Sequence, residues 1–135
     1  MIFHDQHYFM TATQQEPNAA LYIDLVKEEV IEEMLPAWEK YKVSPTRENQ
    51  TELADGIIDS IYVLAGLANS LFGPDMAKKL WEEVQNSNMS KCEFIDGEYI
   101  VKKREDGKIL KGPGYFKPNL FDILNNIPTP EGVKC

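Results

Sequence analysis

Two acidic stretches hold the residues best suited to chemistry, Lys27-Glu28-Glu29-Val30-Ile31-Glu32-Glu33 and Glu52-Leu53-Ala54-Asp55-Gly56-Ile57-Ile58-Asp59. On an α-helical wheel Glu28 and Glu32 fall within about 40° of each other, flanked by Leu21, Leu25 and Leu35, with Glu29 at the edge of that face. Glu52, Asp55 and Asp59 recur at i, i+3 and i+7 within an arc of roughly 60°, opposite Ile57, Ile58, Ile61, Leu64 and Ala65. A run of charge is ordinarily a solvated face. Here the leucines oppose that reading, because turning Glu28 and Glu32 to water would turn Leu21, Leu25 and Leu35 out with them. The pattern predicts an inward stripe of carboxylates. Such groups raise one another's pKa and need counter-charge. Lys27 is the only base within the first stretch and the second has none, so bound divalent metal is the expected partner. An all-oxygen donor set selects hard ions, Mg²⁺ or Mn²⁺ before Zn²⁺.

The elements that must position these acids follow from local signals. Asn18 is a suitable N-cap for a helix from about Ala19 to Tyr41, which Pro36 should bend or end. Lys42 to Gln50 reads as a connector in which Thr46 or Asn49 caps the next helix, running to about Phe72. Within that helix Ala54, Gly56, Ala65, Gly66 and Ala68 permit close approach of a neighbour, which offsets the low helix propensity of glycine. Gly73-Pro74 ends it and opens a third helix, about Asp75 to Asn86, with Met76, Ala77, Leu80, Trp81 and Val84 as its apolar stripe. Beyond Asn86-Ser87-Asn88 the period changes. The turn dipeptides Asp96-Gly97 and Asp106-Gly107, with Phe94, Ile95, Tyr99, Ile100 and Val101, predict a small hairpin. An irregular loop over Lys111 to Tyr115 and a brief helical or extended piece around Leu120 to Leu124 follow, then a loose tail from about 125, Pro128 to Cys135 above all. Residues 1–18 are mixed in character and read as an N-terminal arm, with Phe3, Tyr8, Phe9 and Met10 as anchors.

With 135 residues and 43% hydrophobic content the chain has room for one core, so a single domain is expected over 1–135. The net charge of −8 disfavours nucleic acid or an anionic membrane as main partner, yet leaves phosphate ligands open through metal. His4, Asp5, Gln6 and His7 stand where a signal peptide would have its apolar core, and no run approaches a membrane span. Cys92 and Cys135 form no metal spacing and no disulfide framework. A cytoplasmic protein is expected. His4 and His7, without acidic or thiol company, read as surface histidines.

Glu28-Glu29-Val30-Ile31-Glu32 followed by Glu52-Leu53-Ala54-Asp55 resembles the paired E-E-x-x-E and E-x-x-D motifs of the MazG-like all-α nucleoside triphosphate pyrophosphohydrolases. The run Glu83-Val84-Gln85-Asn86-Ser87-Asn88-Met89-Ser90-Lys91, with Asp106-Gly107-Lys108-Ile109-Leu110-Lys111-Gly112, is similar to a branch common in phages and related to phosphoribosyl-ATP pyrophosphohydrolase. The resemblance covers about 19–120. It implies an all-α helical bundle, completed by assembly into a homodimer or homotetramer and carrying the small hairpin and loop. It implies cleavage of a nucleoside triphosphate to monophosphate and pyrophosphate, with two or more Mg²⁺ ions, Mn²⁺ substituting. By position, Glu28, Glu29, Glu32, Glu52 and Asp55 are then metal ligands, and one of Glu28 and Glu29 would hold the attacking water. Asp59 matches an acid of many members, and ligand, base or ion-pair partner all stay open as its role.

Asn88, Lys91, Lys108 and Lys111 would face the triphosphate as donors and compact positive charges, and Tyr115 would stack on it or bond to it. Metal-neutralised phosphate oxygens and a held water are what attack at the α-phosphorus requires. A deoxynucleotide is favoured over a histidine-pathway substrate, with a purine such as dGTP preferred, used to adjust a nucleotide pool. A non-catalytic acidic oligomerisation or interaction module is the alternative. A di-iron bundle is set aside because neither acidic helix pairs its glutamates with histidine.

Overall fold

The computed structural model describes residues 1–125, so the tail expected from Pro128 to Cys135 lies outside the described residues. The fold is all-α with one small antiparallel hairpin, as expected. The chain divides into two compact units, Met1–Ala77 and the part from Lys78 onward.

The first unit is assembled on α4 (Arg47–Phe72), against which α1 (Ile2–Ala12), α2 (Ala19–Val26), a π-helical segment (Lys27–Met34) and α3 (Leu35–Val43) all pack. Asn18 and Thr46 are the N-caps: the Leu21 N–H donates to Asn18 Oδ1 at 3.0 Å and the Asn49 N–H to Thr46 Oγ1 at 3.2 Å. Both satisfy amides that a helix start leaves unpaired. The helix expected over 19–41 runs on to Val43 without ending at Pro36. The reason is the wider π turn, in which the Leu35 N–H reaches back to the Val30 carbonyl. That widening displaces the carbonyl which the Pro36 ring would strike in a regular α-helix.

Residues 2–12 form a helix rather than an irregular arm. Phe3, Gln6 and Met10 are its buried face, spaced at i, i+3 and i+7. Gln6 is fully buried and donates from Nε2 to Tyr22 Oη at 3.0 Å, while Asn69 Nδ2 donates to Gln6 Oε1 at 2.9 Å and to the Phe3 carbonyl at 2.8 Å. A buried amide is tolerated only when it is paired in this way. His4 adds a contact from α1, its Nε2 lying 2.8 Å from Asp75 Oδ1. The small residues of α4 serve these internal contacts. A Cβ on Gly56 would stand 3.0 Å from Met34 Cα, and one on Gly66 would stand 2.1 Å from Tyr22 Cε1. Their closeness is therefore used within the chain and is no mark of a surface for a second copy.

In the second unit α5 (Pro74–Met89), which begins in the first, continues one turn beyond Asn86. Ser87 holds that turn: it is buried and its hydroxyl donates to the Phe116 carbonyl at 2.8 Å, while the Phe116 N–H donates to Ser90 Oγ at 3.0 Å. Strands β1 (Glu93–Ile95) and β2 (Glu98–Ile100) pair antiparallel around Asp96-Gly97, with Phe94 opposite Tyr99. The second turn dipeptide closes a smaller loop, in which the Arg104 N–H donates to the Lys108 carbonyl at 2.8 Å and the Gly107 N–H to the Arg104 carbonyl at 2.8 Å. The short α6 (Leu120–Leu124) starts at an Asn119 cap. Among the described residues no single helix is long and apolar enough to cross a membrane.

Candidate functional site

The acids lie on two neighbouring elements of the first unit, Glu28, Glu29 and Glu32 on the π-helical segment and Glu52, Asp55 and Asp59 on α4. Gly56 sets their separation, because the bare backbone of α4 meets the Met34 backbone there. The wider turn of the π segment also brings residues four apart into closer register than an α-helix would, so Glu28 aligns with Glu32 and Glu29 with Glu33.

The expected inward stripe is not what the single chain forms. Glu28, Glu32, Glu52 and Asp55 are exposed, Glu29 and Asp59 half-buried, and Leu21 and Leu35 are exposed at 43% and 46%. The acids face outward and take the leucines with them. Among the described residues, the helices of the first unit supply no further layer with which to cover this face.

Two groupings result. Glu32, Glu33 and Glu52 line one depression of about 130 Å³ together with Lys40, whose Nζ lies 2.9 Å from Glu52 Oε2. Glu29 forms the second with Asp55 and Asp59. Its carboxyl is held above the usual carboxylate range, first by partial desolvation and then by the charges of Asp59, Glu28, Glu33 and Asp55. Lys40 gives the first depression one base for its three carboxylates. Lys40 is a counter-charge outside the expected set of site residues. Its signal was present, since it follows Glu33 by seven residues, about two turns, and so returns to the same face.

The donor chemistry fits a hard divalent cation: several carboxylates, oxygen alone, and repulsion that a cation relieves. Among the described residues, no three Asp, Glu, His or Cys side chains are already gathered as a ligand set. Glu28 and Glu32 are exposed, whereas Glu52 is paired with Lys40.

The expected phosphate-binding residues lie in the second unit and separate into two groups. Lys91 and Lys111 line one cleft of about 320 Å³, and Lys111 Nζ sits 4.9 Å from the Tyr115 ring centroid. Lys102, not anticipated, lines the same cleft. Asn88, in the last turn of α5, and Lys108 are exposed and do not line it. Lys108 belongs to the 104–108 turn, where its N–H donates to Asp106 Oδ1 at 3.2 Å. The Arg104 guanidinium beside Asp106 holds that carboxyl below its usual range, which leaves the turn internally compensated.

Charge is segregated along the chain. Residues 1–77 hold thirteen acidic residues against four Lys and Arg, whereas 78–125 hold eight against nine. The first unit is suited to cations and the basic cleft of the second to anions. No family model matches this chain, and comparison with curated proteins finds no match.

Proposed function

We propose that the chain is a cytoplasmic, Mg²⁺-dependent nucleoside triphosphate pyrophosphohydrolase of the MazG-like type, acting on a deoxynucleotide such as dGTP. The observation that carries this reading is the Glu29 carboxyl, crowded by Glu28 and Glu33 along its own segment and by Asp55 and Asp59 from α4. A carboxyl perturbed by acids of two neighbouring helical elements is commoner at functional sites than on solvated faces. Glu28, Glu29, Glu32, Glu52 and Asp55 would hold the metal, whose contribution is to neutralise charge building on the phosphate oxygens. Glu29, with its raised pKa, suits the general base, taking a proton at its carboxylate from a water aimed at the α-phosphorus. Asp59, half-buried beside it, would orient that carboxylate. In the second unit, taken by itself, Lys91 and Lys111 are suited to phosphate oxygens as compact charges.

Hydrolysis in ¹⁸O-labelled water with Mg²⁺ tests the chemistry. The expected products are pyrophosphate and a labelled monophosphate, across a panel that includes dGTP, dUTP and dCTP. Orthophosphate and diphosphate as main products would overturn the reading.

The same reading includes a homodimer or homotetramer. Its support is the apolar surface that one chain leaves in water, with Ile31 and Ile58 about three-fifths exposed alongside Leu21 and Leu35. Light scattering at micromolar concentration should give at least twice the 15.4 kDa chain mass. An active monomer would refute it. The exposed acids and the Lys40–Glu52 pair favour one second reading, a non-catalytic acidic interaction module, which predicts no response to Mg²⁺.

A further inference from the structure

The first unit has a small cavity to which the proposed reaction gives no role. It lies between α1 and α4, measures about 200 Å³, and is lined by Ile2 and Asp5 on one side and by Ile58, Ile61, Tyr62 and Ala65 on the other. Burial of Phe3, Gln6 and Met10 seats α1 on α4, and the row one residue earlier, Ile2, Asp5 and Phe9, is thereby brought to the edge of the groove. Phe9 meets the Tyr62 ring edge-on, with centroids 5.8 Å apart, which limits where that wall can go. Ala65 is buried, whereas Ile2, Ile61 and Tyr62 are each about two-fifths exposed, so their apolar faces are open to a ligand. Asp5 is the one carboxylate of the lining, and among the described residues no side-chain hydrogen bond or ion pair engages it.

The cavity adjoins the acids. Ile58 and Tyr62 follow Asp55 and Asp59 by three residues on α4, which makes each a surface neighbour of the acid one turn before it. We infer that this cavity is the base site of the proposed hydrolase, and that the Asp5 carboxylate selects guanine in it. The inference rests on the nucleotide reading for the class of its ligand. Size favours a base with its phosphates outside, because pockets that take a whole ligand begin near roughly 300 Å³. Apolar walls that include an aromatic ring suit a flat ring system, and a single polar group then fixes its orientation. Guanine presents its N1–H and N2–H donors side by side, so one carboxylate accepts both. Adenine places the N1 acceptor beside its amine, and a carboxylate repels that acceptor.

Spectra of the full chain with ¹³C-labelled isoleucine methyls, titrated with dGMP in chelator, test this without metal or turnover. The Ile2, Ile58 and Ile61 methyls should shift together with one Kd, through the ring current of the bound base, while Ile95 and Ile100 of the hairpin stay in place. Asp5→Asn should weaken dGMP about tenfold or more, whereas Glu16→Gln, with the same charge change on an exposed residue outside the cavity, should leave it within about twofold. Wild type should bind dAMP at least about tenfold more weakly than dGMP, and Asp5→Asn should close most of that gap, a change that mere loosening of α1 would not produce. The inference is overturned if dGMP leaves the three methyls unmoved, if dGMP and dAMP bind alike, or if Asp5→Asn weakens both equally. Cavity shifts with dGMP together with failure to hydrolyse any nucleotide would leave a guanine site standing and remove the enzymatic reading. Hydrolysis of dGTP with the three methyls unmoved by dGMP would do the reverse.

Discussion

Asp55→Asn and Glu32→Gln are expected to leave the metal-free chain at least as stable as wild type while Mg²⁺-dependent turnover falls on the order of a hundredfold or more. Both effects come from one cause. Glu29 already feels Asp55, Asp59, Glu28 and Glu33, and Glu32 shares its depression with Glu33 and Glu52, so removing either charge relieves repulsion in the empty chain and removes a donor from the metal. Mg²⁺ binding to the folded state should raise the wild-type Tm by mass action, about 2.7 kcal/mol at a hundred times Kd, and this gain should shrink in both variants. Glu29→Gln adds a pH signature. The folded Glu29 carboxyl keeps its proton to higher pH than the unfolded one, so wild-type stability falls as pH rises from the usual carboxylate value through the raised one. The variant has nothing to ionise there. It should exceed the wild type near neutral pH and match it below the usual carboxylate range. Melting curves with Mg²⁺ and with chelator, over a pH series, check all of this. A metal-free Asp55→Asn protein that is destabilised by several kcal/mol, with its Mg²⁺ response unchanged, would establish the acids as ion-pair partners instead.

Gly66→Ala should lower stability by about 3 kcal/mol, the upper end of what overpacking costs, and the Tm by roughly 10 °C. The new methyl would stand 2.1 Å from Tyr22 Cε1 and 2.6 Å from Gln6 Nε2. Neither neighbour can yield cheaply. The Tyr22 hydroxyl accepts from Gln6 at 3.0 Å and donates to Gln15 Oε1 at 2.7 Å, and Gln6 is in turn bonded to Asn69, so a shift of the ring breaks a buried network. Alanine's helix propensity works the other way by about 1 kcal/mol and is too small to win. Pairing Gly66→Ala with Tyr22→Leu tests the cause. If the ring is what the methyl strikes, the glycine substitution should cost less in the Tyr22→Leu background than in wild type. A Gly66→Ala protein that melts at or above the wild type would sink the argument.

Local signals proved legible wherever their physics closes within a few residues. The Asn18 and Thr46 caps, the Gly73-Pro74 boundary and the Asp96-Gly97 hairpin each depend on backbone groups within about four positions, so they hold in whatever fold surrounds them. The candidate acids were legible for the same reason, as a pattern on each helix taken alone. The helix at 2–12 was not. Its buried stripe runs through Gln6, and a glutamine counts as a core residue only once Tyr22 and Asn69 are beside it. The π-helical turn at the first acidic stretch was equally hidden, because side-chain periodicity assumes the α pitch that this segment departs from.

What the sequence by itself determined is the list of elements, their caps and turns, and which residue types stand on each helical face. What only the tertiary structure decided is who meets whom. The approach of α4 to Met34 at Gly56 puts Asp55 and Asp59 near Glu29, the position of α3 gives Lys40 to Glu52, and two backbone hydrogen bonds strap Lys111 between Lys102 and Lys91. Whether the acidic stripe faces inward also depended on how many layers one chain can place over it, and here Leu21 and Leu35 remain at the surface with the acids. Charge and burial are properties of surroundings built from distant residues, and a helical wheel contains only near ones.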